Sequence, residues 1–219
     1  MIKRGLIIGD YETARYWTLT GWEFSPAEQY TNFLEVPGRA KGPLDLSTAL
    51  TEGVPTYKSR TLTATFECSD GSRLWREERI SEMVNSLDGF VQEMALPDDS
   101  EHFIVGRVHV ARLYNDMAHA SVQVTAICEP WRYNKTETRI ELRGEAETQT
   151  ATLPNLGRLS ASPILTVAGS SAFVEYGTRS WALSPGTYEH VPGLVISPGG
   201  LTIKYSGGSL VLTYREAVL

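Results

Sequence analysis

The stretch TLTATFEC, residues 61–68, alternates without a break. Leu62, Ala64 and Phe66 fall on one side and threonines on the other. Successive side chains of an extended chain point to opposite faces, so this reads as a half-buried strand. The same period of two returns in HFIVGRVHVARLYN (102–115), with Val108 and Val110 in phase. It returns again in ASVQVTAICEPWRY (120–133), with Val122, Val124, Ala126 and Cys128 inward. NDMAH between these two runs is short enough for a hairpin or a wider turn. One segment breaks the rule. In DGSRLWREERISEMVNSLDG, the residues Ile80, Met83, Val84 and Leu87 take the spacing of a single helical face. Asp70 or Ser72 can cap its start and Gly89 can end it. The first part of the chain therefore reads as strands with one helix covering a sheet.

After Pro130 the texture changes. ETRIELRGEAETQTATLP is polar and alternates weakly. From residue 163 short strand patterns follow one another: PILTVAGS, AFVEYG, RSWALSPGTYEHVPG, LVISPGG, LTIKYSGG and SLVLTYRE. Gly, Pro and Ser punctuate them at the spacing expected of an all-β sandwich. Two domains are expected, 1–137 and 138–219. The fold class is mainly β with one covering helix. The content of 42% hydrophobic and 21% charged residues is enough to bury a core.

Chemistry is sparse. The loop VPGRAKGPLDLS (36–47) carries two glycines and a lysine, but Lys41 precedes the second glycine and Pro43 follows it. A phosphate-binding loop needs Gly-Lys-Ser/Thr at that point, and proline removes an amide the phosphate would use. His102, His109, His119 and His190 are scattered, with no HExxH and no Cys/His pair at ligand spacing. No G-x-S-x-G elbow occurs. Glu77, Glu78 and Glu82 lie on the polar side of the helix, where nothing apolar would raise a carboxylate pKa. No catalytic residue, cofactor or metal is expected, and the chain is read as not an enzyme. Cys68 and Cys128 share the phase of apolar neighbours and read as core thiols, and the pattern leaves open whether they touch. A formal net charge of -6 argues against a broad nucleic-acid surface. MIKRGLIIGDYE has too short an apolar run for a secretory signal, and no run spans a bilayer.

Three segments, taken in order, resemble one family. They are VPGRAKGPLDLSTAL followed by YKSRTLTATFEC; the helix with LDG and the hairpin reaching VTAICEPWRY; and the ending ALSPGTYEHVPGLVISPGGLTIKYSGGSLVLTYREAVL. Together they resemble the distal tail proteins (Dit, or baseplate hub proteins) of long-tailed, non-contractile bacteriophages, over nearly the whole chain. The resemblance implies a homohexameric ring at the distal end of the tail tube, in a virion assembled in the host cytoplasm. It implies an amino-terminal β-sandwich-like α+β domain that forms the ring, with a helix and a β-hairpin arm. It also implies a galectin-like carboxy-terminal β-sandwich. The implied partners are the tail tube protein, a tail-associated hub or lysin protein, the tape measure protein and receptor-binding proteins, with DNA passing through the channel. The subunit contacts are expected on the 36–47 loop, the adjoining strand and the 102–128 hairpin, with Arg39, Lys41, Asp45, Arg107, His109 and Arg112 as interface residues. Two features depart from the family pattern: there is no inserted carbohydrate-binding module, and Ala40-Lys41 stands where a plain glycine-rich turn is usual.

Other readings compete. A tail tube terminator would also form a ring. A carbohydrate-binding adhesion module would use Trp181, Tyr188 and Tyr205 as a sugar-stacking face. An enzyme of glycan turnover would need a carboxylate pair, and the sequence nominates none.

Overall fold

The structure, a computed structural model, describes residues 5–37, 41–51 and 54–219. It divides into two compact units, Met1–Pro130 and Trp131–Leu219. The first unit opens with two-residue strands β1 (Ile7–Ile8) and β2 (Tyr11–Glu12), a single 3-10 turn (Thr13–Arg15) and β3 (Thr18–Phe24). Short strands β4 (Phe33–Leu34) and β5 (Leu44–Asp45) pair only with each other. Then come β6 (Arg60–Cys68), the helix α1 (Arg73–Leu87), β7 (Val91–Ala95), β8 (His102–Asn115) and β9 (Ala120–Asn134). The main sheet has the order β2-β1-β7-β8-β9-β6-β3.

Alternation explains which face is buried. Leu62, Ala64, Phe66 and Cys68 of β6 and Val122, Val124, Ala126 and Cys128 of β9 share one core with Ile104, Val108 and Val110 of β8. The β6–β9 register runs unbroken from Arg60 opposite Cys128 to Cys68 opposite Ala120, so the two thiols sit at opposite ends of the ladder. Both are free and buried. Burial pushes the Cys128 thiol up to about 11. Gly106 is the one gap in the inward row of β8. A Cβ there would lie 2.7 Å from the Cys128 sulfur and 2.9 Å from its Cα, so only glycine lets β8 and β9 approach at that point.

The helix forms where its period places it. Ser72 caps it, its hydroxyl accepting the Trp75 N–H at 3.2 Å. The Asp88 N–H closes the last turn on the Val84 carbonyl, and Gly89 follows with φ at 82°, a left-handed turn suited to glycine. The buried stripe is Arg76, Ile80, Met83 and Leu87, against β8. Val84, expected in that stripe, is half-buried. Arg76 takes the fourth place. Its guanidinium donates to the carbonyls of Gly71 (2.8 Å), Asp116 (2.9 Å), Met117 (3.2 Å) and Asp70 (3.4 Å), and to Asn115 Oδ1 (3.4 Å). It thereby ties the start of the helix to the β8–β9 turn. A desolvated guanidinium is tolerated because it meets acceptors on all sides.

The second unit contains β10 (Thr138–Leu142), β11 (Gln149–Leu153), β12 (Ile164–Tyr176), β13 (Arg179–Leu183), β14 (Gly186–Tyr188), β15 (Leu201–Tyr214) and β16 (Ala217–Val218). β15 pairs with β12, β10 and β11, and β12 also pairs with β13 and β14. Residues 131–134 of β9 receive β16. Two expectations change here. PILTVAGS and AFVEYG fuse into β12, and LTIKYSGG and SLVLTYRE fuse into β15. The glycines between them make a bulge, not a turn. The β12–β15 register shifts between Ala168 and Ala172, opposite Gly207. Both strands switch phase there. Leu165 and Val167 are buried before the shift, and Ala172 and Val174 after it. The same core face is kept while the strands bend. Side chains at Gly144, Gly207 and Gly208 would collide with backbone oxygens of Gly207, Ser171 and Ser170 in turn. Tyr205 is buried with its hydroxyl on Gln149 at 2.6 Å, and Trp181 and Tyr188 pack against that same core. The three aromatics therefore do not form an open stacking face.

Candidate oligomer interface

A group of exposed apolar side chains lies between β3 and β6. This excursion is an arm. The β3–β6 register, with Trp22 opposite Ala64 and Phe24 opposite Leu62, continues outward past the sheet. Ser25 donates its N–H to Thr61 O (2.9 Å), Lys58 to Glu28 O (2.8 Å) and Tyr30 to Thr56 O (2.9 Å), and Gln29 bridges Tyr57. Lys58 and Glu28 also form an exposed ion pair at 3.0 Å. Farther along the excursion, Phe33 pairs with Asp45 and Leu34 with Leu44. Residues 46–51 are taken up in turns, with Ala49 N–H on Leu46 O, and Val54 donates its N–H to Thr51 O.

No described side chain of residues 25–59 belongs to the buried core. Tyr30, Phe33, Leu34, Val36, Leu50 and Val54 are all exposed, Phe33 by 58% and Leu50 by 98%. A two-stranded ribbon is marginal in water by itself, and exposed apolar side chains grouped on one element mark an interaction surface.

The expected interface residues fall into two groups. Lys41 and Asp45 are on the arm, both exposed. Arg39 lies outside the described residues. The Asp45 carboxylate accepts the Ser47 N–H at 2.9 Å, and Ser47 Oγ accepts the Asn32 N–H at 2.8 Å, which pins the return strand to the outgoing one. The Ser47 hydroxyl and then its N–H hold the Asp45 carboxyl below its ordinary pKa.

Arg107, His109 and Arg112 are on β8, in the other sheet. Arg107 donates to the Gly89 carbonyl. His109 Nδ1 is 2.8 Å from Asp88 Oδ1, which also accepts the Val110 N–H at 2.8 Å. Arg112 pairs with Glu77 at 2.8 Å, and Glu77 also accepts from Asn115. All three side chains brace the two ends of α1. Of the five that are described, two lie on the arm and three on β8. The 102–128 hairpin, expected as an arm, sits in mid-sheet between β7 and β6. The ribbon that leaves the sheet is made by the described residues between β3 and β6. Sequence reading missed its apolar residues because SPAEQYTNFLEVP has no period of two or 3.6, and so announces no buried face.

Other concavities offer less. One, of about 260 Å³, collects Glu67, Cys68 and His119 with Thr18, Thr20 and Ser69. Glu67 accepts the Tyr114 hydroxyl at 3.2 Å, and the Cys68 thiol is turned to the Asp70 carbonyl at 3.9 Å, so both already have structural partners. Among the described residues no group of three or more His, Cys, Asp or Glu could hold a metal ion. No described helix is long and apolar enough to cross a membrane.

No family model matches the sequence, and no curated protein matches it. Among solved structures, the chain is similar to the crystal structure of the Dit protein of phage SPP1, described there as a paradigm of the hub adsorption apparatus in phages infecting Gram-positive hosts. The TM-score is 0.71 at 12% identity, over 98% of this chain and 99% of that one. Along nearly its whole length, this mainly β chain with one α-helix has the fold of a phage Dit protein.

Proposed function

We propose that the chain is a structural hub protein of a phage tail. Six copies close into a ring at the distal end of the tail tube. The ring leaves a channel for DNA and joins the tube to the tail-tip or host-adhesion apparatus. In this reading residues 1–137 build the ring, and residues 138–219 form a galectin-like sandwich. The ring meets the tail tube protein, the tape measure protein, a tail-associated hub or lysin protein and receptor-binding proteins.

One observation carries this reading: a ribbon arm whose apolar side chains have no core of their own. A ring needs one head-to-tail contact repeated until it closes. An arm that leaves its own sheet and seats Tyr30, Phe33 and Leu34 on a second copy supplies such a contact. The fold likeness to a hub protein supports the same conclusion. The carboxylates and histidines engaged in bracing the fold fit a structural part.

Native mass spectrometry of the concentrated protein tests this. A species of six times 24.2 kDa is expected, and it should be lost when Phe33→Ser and Leu34→Ser are combined. A strictly monomeric or dimeric protein, even with its tail neighbours added, would overturn the ring. Electron microscopy of labelled particles provides a second check, since signal at the head-proximal end would contradict the distal placement.

A further inference from the structure

The arm leaves the sheet at a joint made of side chains, and we propose that Arg60 is the positioning residue that sets its direction before any neighbour binds. This rests on the arm-mediated ring proposed above.

Arg60 opens β6 in the inward phase, on the same side as Leu62, Ala64 and Phe66. It is buried to 9% exposure. Its guanidinium carbon lies 3.7 Å from the centroid of the Phe24 ring, the last residue of β3. Its Nε donates to the carbonyl of Ser25, the first residue of the arm, at 2.7 Å.

The register explains why a side chain is needed there. Carried outward from Phe24 opposite Leu62, it sets Pro26 opposite Arg60. Ser25 and Thr61 are the hydrogen-bonded pair, so proline stands at a non-bonded pair and adds no rung where the ribbon departs. The pairing just before it is also rewired. Ser25 gives its N–H to Thr61 O in the ordinary way, but Thr61 returns its own N–H to Ser25 Oγ at 2.8 Å. That leaves the Ser25 carbonyl for Arg60. Backbone pairing resumes only at Glu28 and Lys58.

A gap of this kind would act as a hinge. A planar guanidinium stacked on an aromatic ring and bonded through Nε has one orientation, whereas an aliphatic chain or an ammonium could satisfy the same space in several. Filling an inward position with a cation also costs desolvation that a leucine would not. Core packing alone therefore gives no reason for it, and a fixed exit angle does. An aimed arm loses less freedom on docking, which strengthens assembly without adding a contact.

The test compares the full chain with Arg60→Lys and Arg60→Leu. Spin labels at Leu50→Cys on the arm and Glu93→Cys on β7 report the arm-to-sheet distance below the concentration of assembly. A narrow distribution is expected for Arg60 and a broad one for both variants, with the melting temperature of Arg60→Leu unchanged or raised. The concentration for half-assembly should rise roughly tenfold in Arg60→Lys, the size of effect that loss of one charged hydrogen bond has. Equal widths in all three chains would overturn the proposal, as would a broad distribution with Arg60 intact. If the Phe33→Ser, Leu34→Ser chain still assembles normally, the arm is not the ring contact, and the distance widths still decide whether Arg60 aims the arm.

Discussion

Two long hairpins of this chain meet opposite fates. The β8–β9 hairpin is flanked by β7 on one side and β6 on the other, and its inward side chains are core. The β3–β6 hairpin is core at its base and bare beyond Phe24, where no neighbouring strand continues with it. Extended conformation is the same in both. What differs is whether a flank is present to accept the backbone and a helix to cover the side chains. An arm is a hairpin that outruns its sheet, and length alone does not reveal it.

That contrast can be broken by substitution. Ile104→Ala in the embedded hairpin should cost about 2–5 kcal/mol of unfolding free energy, the usual cost of emptying a closed core site, read as a shift in urea midpoint. A value near zero would mean that β8 is not held as described. Arg76→Met should cost about 1–3 kcal/mol, because it removes the charged hydrogen bonds of a buried side chain while keeping the volume. Its distinctive sign is faster amide exchange at His119, beyond the turn that Arg76 holds.

Acid should come next. Asp88 is held below its ordinary value mainly by the Val110 N–H, and Asp116 by the N–H groups of His119 and Ala118. A depressed carboxylate contributes stability above its unfolded pKa, near 3.8, and loses it as pH falls through the lower folded value. The helix end and the hairpin turn should therefore loosen below about pH 4, while Asp88→Asn flattens that part of the curve. The smallest effect belongs to the arm. Phe33→Ala should change the stability of the dilute chain by less than about 0.5 kcal/mol. A larger loss would show that the arm packs on its own sheet.

Much of this fold was legible. Alternation in 61–68 and 120–128 named the core faces, and the period at Ile80, Met83 and Leu87 named the helix and its buried side. The candidate interface was legible only in part. Lys41 and Asp45 are exposed, whereas the basic residues of β8, expected at a subunit contact, have partners within the chain. Their partners, Asp88, Gly89 and Glu77, lie 18 to 35 residues away, and no local pattern carries that information. The second unit misled for a related reason. A glycine pair reads as a turn until a partner strand is seen to bulge opposite it.

That glycine cluster also governs how the sequence can drift. At Gly144, Gly207 and Gly208 three stretches of main chain meet with no room between them, and what blocks a side chain is backbone, which cannot swing aside. Substitution elsewhere in the second unit is graded by size and polarity. Here the grading collapses, because even a methyl group is too large. In a saturation mutagenesis library these three columns should empty together while Leu50 accepts nearly every residue. The places where such a protein is least free to change are then marked by the absence of a side chain.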